Sequence, residues 1–375
     1  MFQTIRCSVH FVAPAFLGDA DQKGSWRTPP FKALLRQWWR IAVAGQLGYD
    51  YTRLREKEGK LFGHTWLTNC HGKTWAMQGR VRLKLDRWES GALNQWPKDP
   101  KVTNNEVDRN PQIGSHLYLG YGPLTFQRGH GTALKKGNPA IDAMVDVGSW
   151  VVAFPREEGE QIIHALQLIH WFGSLGGRSR NGWGSLSLSS HSEGAILPAD
   201  DLLEGTAIKR LAGYSRRFED CLKCDWPHAF GQGTDGRLLV WKTCEFTTWS
   251  DTVRELARVK IAFRQGCSVA ANRGAHRPVL DERHILAYPV TNHEVDDWGN
   301  QKRLANQLRF KLLRLKNGRF IGLAYQLPHR LPDALRNSLK GSDKQKPTPE
   351  WQLAVWRKVH GVLDSEMTRI ERAPQ

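Results

Sequence analysis

From Thr4 to Phe11 the chain alternates polar and apolar residues without a slip. Ile5, Cys7, Val9 and Phe11 stand against Thr4, Arg6, Ser8 and His10. A period of two marks a strand buried on one face, and it limits what can pack on that face. The next periodic stretch is helical. Thr28 suits a cap and Pro29 a first helical position. Phe31, Leu34, Leu35, Trp38 and Ala42 then share one side of a helix reaching about Ala44. Lys32, Arg36 and Arg40 recur at every fourth residue on another side, as a basic stripe. Arg80, Arg82 and Lys84 alternate with Val81, Leu83 and Leu85, giving a second strand with one basic and one apolar face. Val145 to Phe154 reads as a buried strand, Gly159 to Phe172 as a helix and Ser185 to Leu188 as a short strand. Strand, helix, strand, strand, helix, strand is the ferredoxin-like order, so the expected class is α+β.

A chain of 375 residues exceeds one ordinary domain and suits two. The first is expected over residues 1–195, with a long insertion at about 90–138 where Gly, Pro, Asn and charge replace any periodicity. Loops of that length are usually functional or mobile. The second is expected over 206–375. There Leu238 to Phe246 reads as a strand and Asp251 to Arg264 as a helix. Leu308 to Leu315 alternates, then slips phase at Leu313 as a β-bulge would cause. Phe320 to Leu327 pairs with it across Asn317-Gly318, a strong hairpin turn. Asn337 to Pro347 reads as a polar linker, and Thr348-Pro349 opens a last helix with apolar positions through Ile370. Two tandem ferredoxin-like (RRM-like) domains are expected.

Between the second helix and its following strand lie five glycines in twelve residues, Gly173 to Gly184, with Arg178 and Arg180 among them. Such a loop can turn backbone N–H groups outward as a phosphate nest, with arginine adding charge-assisted bonds. It is no Walker A loop, lacking Gly-Lys-Ser/Thr, and it follows a helix where a dinucleotide fingerprint follows a strand. The plain alternative is a flexible connector with solvated arginines. Charge bears on the choice. Lys and Arg number 54 against 37 for Asp and Glu, a formal net charge of +17, which attracts phosphate polymers. No basic amphipathic helix with a broad apolar face points instead to a membrane. Sixteen tryptophans suggest stacking on bases or sugars, although most buried Trp is core. Trp39, beside Trp38, is either interface packing or a stacking platform.

Catalytic patterns are sparse. No Gly-x-Ser-x-Gly or His-Glu-x-x-His stands in the chain. His10 or His170 could act as base in metal-independent RNA cleavage, the rival enzymatic reading. A Trp-rich glycan-binding module is a second rival, and it leaves the charge unexplained. Cys221 and Cys224 have zinc-knuckle spacing with His228 four residues on, but a structural site needs four ligands. Neither metal nor cofactor is expected. Six scattered cysteines suit reduced thiols, and no apolar run suggests a leader or membrane span, so a cytoplasmic chain is expected.

Several motifs together carry a family resemblance. Pro14-Ala-Phe16-Leu-Gly18 precedes Arg27-x-Pro29-x-Phe31-Lys32, which continues through Arg36-x-Trp38-Trp39-Arg40. Leu61-Phe62-Gly63 and Gly176-Gly177-Arg178-Ser179-Arg180-Asn181-Gly182-Trp183-Gly184 follow, then His284 to Val290 and Arg303 to Phe310. In this order they resemble the capping RAMP-superfamily subunits of type III-B CRISPR effector complexes, the Cmr kind. Asn306-Gln307 departs from a frequent Ser-Pro, and Ala287 from a Gly. The resemblance implies a non-catalytic place at one end of a backbone of other RAMP subunits, holding the guide RNA 3′ region or target RNA. Candidate RNA-binding residues are Arg27, Lys32, Arg36, Trp39 and Arg40, with Gly176, Gly177, Arg178, Ser179, Arg180, Asn181 and Gly182 in the loop.

Overall fold

Strict alternation in the first strand has its expected consequence. In a computed structural model describing residues 1–18, 25–68, 72–107, 110–135, 138–145, 147–190, 200–269 and 279–370, Ile5, Cys7, Val9 and Phe11 are all buried. This strand, β1 (Phe2–Phe11), is followed by helix α1 (Thr28–Ala44) and strand β2 (Arg82–Leu85). Then come β3 (Val147–Pro155), α2 (Gly159–Phe172) and β4 (Leu186–Ser190). The strands pair antiparallel in the order β4-β1-β3-β2. Trp150, Val152 and Phe154 of β3 join the inward residues of β1 beneath α1 and α2.

The second half repeats this plan with β5 (Val240–Lys242), α3 (Trp249–Gln265), β6 (Leu308–Arg314), β7 (Phe320–Gln326), α4 (Pro349–Glu366) and β8 (Thr368–Arg369). Its strand order is β8-β5-β7-β6, again antiparallel. Both cores are ferredoxin-like. Thr248 caps α3 by accepting from the Asp251 N–H, and Thr348 caps α4 by accepting from Trp351, with Pro349 in the first turn.

The two cores stack as sheet, helices, sheet, helices. Phe310, Leu312 and Ala324 face α3 and α4, sharing a cluster with Leu256 and Val355. The opposite face of the same sheet, with Leu313, Ile321, Leu323 and Tyr325, shares a cluster with Trp38 and Phe172 of the first core. Ring centroids of Phe172 and Tyr325 stand 5.0 Å apart, and Tyr325 Oη donates to the Phe172 carbonyl at 2.9 Å.

This stacking corrects the reading of β6. Its register against β7 runs unbroken from Leu308 opposite Gln326 to Arg314 opposite Phe320, so Leu313 marks no bulge. Leu313 shares a face with Arg309 and Lys311, and that face is buried against the other domain. Three other expectations change. The supposed polar linker, Asn337 to Pro347, contains helix Gly341–Gln345 with Asp343 buried, α4 stops at Glu366, and Thr368–Arg369 forms the final strand. The strand expected over Leu238 to Phe246 is confined to β5. Much of the expected domain boundary, residues 191–199, lies outside the described residues.

The insertion carries two hairpins, Lys101–Thr103 with Gln112–Gly114 and Leu124–Gln127 with Gly131–Leu134, around the short helix Ser115–Gly120. Asp99 ties it together, accepting from the His116 and Leu117 N–H groups and from Thr132 Oγ1. Trp96, Trp183 and Trp249 then pack it against α3. Tryptophan is chiefly core here, with Trp26, Trp38, Trp39, Trp150, Trp171, Trp183, Trp241 and Trp356 all fully buried. No helix among the described residues is long and apolar enough to cross a membrane.

Candidate functional site

The glycine-rich loop leaves α2 and turns back into β4, and its glycines serve close approach. A Cβ at Gly184 would stand 1.9 Å from the Leu175 carbonyl oxygen, and one at Gly176 would stand 2.4 Å from that of Phe16. Both residues have positive φ, +63° and +93°. The loop's N–H groups turn inward. Gly177 donates to Phe16, Gly184 to Pro14, Asn181 to Arg178 and Gly182 to Ser179. The expected main-chain phosphate nest is therefore not built at Gly177, Asn181 or Gly182. These donors are already satisfied, so anion binding falls to side chains.

The loop is instead a junction. The Phe310 N–H of β6 donates to the Arg180 carbonyl at 2.9 Å, and the Leu312 N–H donates to Ser185 Oγ at 2.9 Å. Lys260 Nζ of α3 donates to Asn181 Oδ1 at 2.9 Å, while Asn181 Nδ2 donates to the Leu119 carbonyl of the insertion. Arg178, held at φ +58°, donates through Nε to the Tyr121 carbonyl. First core, insertion and second core all meet at residues 174–185.

Beside this junction opens a cleft of ≈ 1190 Å³. One side is the loop with Leu34, Gln37 and Trp38 of α1; the other comprises α3 and the segments 286–291 and 303–309. Six cations line it, Arg178, Arg180, Lys260, Arg264, Arg303 and Arg309, and no Asp or Glu does. None of the six makes an ion pair among the described residues. Cations elsewhere do, as in Arg258 with Glu255 and Glu366, Arg80 with Glu157, and Arg283 with Glu106.

The electrostatic consequence is direct. Burial, and then the nearby Arg264 and Arg178, push the Lys260 ammonium down to about 7. Burial and then Arg309 push Arg180 down to about 10. Arg309 is only 6% exposed, its pKa also lowered by burial, and its Nε is buried without a hydrogen-bond partner. Arg309 is buried and Lys260 and Arg264 half-buried, while Arg178, Arg180 and Arg303 reach solvent at the rim. Cations gathered with no carboxylate lining the cleft favour an anion that supplies the counter-charge. Tyr121, 67% exposed, stands at the mouth beside Arg178.

The structure divides the sequence candidates. Arg178, Ser179, Arg180, Asn181 and Gly176 line the cleft. Gly177 and Gly182 shape the loop against Phe16 and β6. The α1 stripe does not line it. Arg36 Nε and Arg40 Nη2 both bind Glu58 Oε1 at 2.7 Å, so these two cations are paired within the protein. Lys32 is partly exposed on the same outer side, and Arg27 donates to the Gly18 carbonyl. Trp39 is 0% exposed with its ring edge against Phe62, so it is no stacking platform. His170 accepts from the Leu188 N–H and is pushed down to about 3 by burial and then Lys311. His10 lies on the outer face of the first sheet. Around Cys224 and His228 the centre is held by Arg216, whose Nη1 contacts Cys224 Sγ and His228 Nε2. No metal-binding group of His, Cys, Asp and Glu occurs among the described residues.

Lys260, Arg264, Arg303 and Arg309 were not singled out as site residues in the sequence. A partial signal existed, because Arg303 to Phe310 and His284 to Val290 are motifs of the resemblance, and parts of both reach the cleft with the glycine loop.

The family model of the RAMP superfamily matches residues 29–187. No curated protein sequence matches the chain. Among solved structures, apo Cmr1 from Pyrococcus furiosus is 14% identical, with 87% of this chain and 88% of that one covered and a TM-score of 0.39. A chain of the type III-B Cmr-beta complex bound to cognate target RNA is 11% identical, with 96% and 100% covered and a TM-score of 0.45.

Proposed function

We propose, from the match of residues 29–187 to the RAMP superfamily model and from the cleft, that this chain is an RNA-binding structural subunit of a type III CRISPR effector complex. The motif resemblance supports a capping place beside other RAMP subunits, with the guide 3′ region or target RNA as ligand. The observation that carries RNA binding is the set of six cations in one cleft between the cores, with no ion pair among the described residues and no carboxylate in the lining. A basic groove that follows a backbone, with aromatic rings at its side, suits a single strand. Arg180 on one wall and Arg309 on the other take phosphates, Lys260 and Arg264 add charge on the α3 wall, and Tyr121 stacks a base at the mouth.

The role proposed is binding without cleavage. His170 is buried beneath β4 and held neutral, and His10 lies on a different face from the cleft. The test is affinity for single-stranded RNA across a salt series, with product sizes checked. Arg180→Ala with Arg309→Ala should weaken binding about 100-fold and reduce the salt slope by about two. Unchanged affinity would refute the cleft assignment, and clean cleavage at one position would refute the non-catalytic reading.

A further inference from the structure

The first sheet has a second face, opposite α1 and α2. Arg6 of β1 and Lys84 of β2 stand in one row across Val151, and Arg82 stands in the next across Ala153 from Thr4. The row beyond Arg6 is Ser189, Ser8 and Ser149, and the next holds Ser187, His10 and Val147. Arg6, Arg82 and Lys84 are exposed. None of the three makes an ion pair among the described residues, and no Asp or Glu stands on this face in any of the four strands. Arg314, at the end of β6, lies near enough to His10 to lower its pKa after burial does.

We propose that this face is a second RNA-docking surface, for the backbone of an RNA duplex. Three features select the partner. Every charge on the strand residues of this face is positive, with Asp86 just past the end of β2 accepting from the Ser149 N–H, and a net positive face suits phosphate. Phe2 is the one Phe, Tyr or Trp among the described strand residues of this face, and Arg82 lies over its ring at 5.5 Å, so those strands offer no row of stacking platforms for a single strand. The centre is small and hydroxylated, whereas polypeptide interfaces concentrate aromatic and Met anchors and are depleted in Lys and Ser. A wide, shallow A-form minor groove displaying 2′-hydroxyls and phosphates needs a flat surface of hydroxyl groups with flanking cations. Arg6 and Lys84 sit two strands apart, about 10 Å, so they reach separate phosphates.

This inference does not depend on the cleft, and one experiment separates them. The full chain is titrated with a blunt RNA duplex and, separately, with single-stranded RNA of equal length. Arg6→Glu with Lys84→Glu should weaken duplex binding about tenfold and lower its salt slope by about two, while single-strand affinity stays within about twofold. Arg6→Ala with Lys84→Ala should give part of the same loss and guards against an effect of reversal on folding. The cleft variant Arg180→Ala with Arg309→Ala should show the opposite pattern. Duplex affinity untouched by the face variants, or lost only in the cleft variant, overturns the proposal. So does release of a co-purifying protein subunit with duplex binding intact, which would assign the face to a polypeptide.

Discussion

The two sheets share one topology and differ in what covers their backs. In the first, α1 and α2 bury one face and leave Arg6, Arg82 and Lys84 exposed on the other. In the second, every residue of β7 is buried, and β6 is buried except at Arg314. Polar residues on the back of β6 are therefore buried within the protein. Lys311 is 0% exposed and its ammonium donates to the Gly173 and Leu186 carbonyls, pinning the second sheet to both ends of the segment that carries the glycine loop. Arg309, on the same face one pleat away, reaches the end of the interface where the cleft opens. Burial against a neighbouring domain thus takes the cations on the back of the second sheet out of bulk water, while the exposed sheet face keeps its charge in water.

The largest effect that would sharpen this contrast is on stability. Leu323 and Val151 lie on the back faces of topologically equivalent strands, Leu323 fully buried and Val151 partly exposed. Leu323→Ala should cost about 2–5 kcal/mol, whereas Val151→Ala should cost under about 1 kcal/mol. Chemical denaturation of both variants checks this. Equal losses would mean that the second sheet is not covered as described.

Next in size is stacking at the cleft mouth. Tyr121→Ala should weaken single-stranded RNA binding by about 1–2 kcal/mol and leave duplex binding unchanged, as read by fluorescence anisotropy.

The smallest effect, and the most diagnostic, belongs to Lys260. Its folded pKa near 7 lies below the ordinary lysine value, so the folded chain holds fewer protons than the unfolded one between about pH 7 and 10. The penalty is full below pH 7 and is relieved as pH rises through that window. Lys260→Met should then stabilise the free protein by about 1 kcal/mol at pH 7, with the gain fading towards pH 10. Phosphate favours the ammonium form, so wild-type RNA affinity should fall as pH rises above 7. Lys260→Met should bind more weakly and without that pH dependence, and Lys260→Arg should bind well at every pH.

Much of the fold was legible because local periods were clean. β1 alternates strictly, and α2 has the bounds its pattern gives, Gly159 to Phe172. The failures have two causes, buried second faces and partners distant in the sequence. A sequence pattern reports one buried face, and the middle layers of this stack have two. Trp38 packs towards Tyr325 of the second sheet while Trp39 packs against Phe62 of the following helix, so both adjacent tryptophans are buried. Leu313 resembled a phase slip for the same reason. The glycine loop was recognised, but its N–H groups were assigned outward because Gly177 and Gly184 donate to Phe16 and Pro14, about 160 residues or more earlier in the chain, while Asn181 and Gly182 close turns within the loop on Arg178 and Ser179. Arg36 and Arg40 looked free because their partner, Glu58, sits on the helix Tyr51–Phe62, which carries no strong pattern of its own.

In the proposed function, single-stranded RNA lies in the cleft between the cores. Photo-crosslinking of thiouridine-substituted RNA to the full chain, with crosslinked peptides mapped by mass spectrometry, tests it most directly. Crosslinks are expected within residues 117–121, 174–181, 260–264 and 286–309, and they should disappear in the Arg180→Ala with Arg309→Ala variant. Crosslinks confined to the outer side of α1, at Lys32, Arg36 and Arg40, would contradict it.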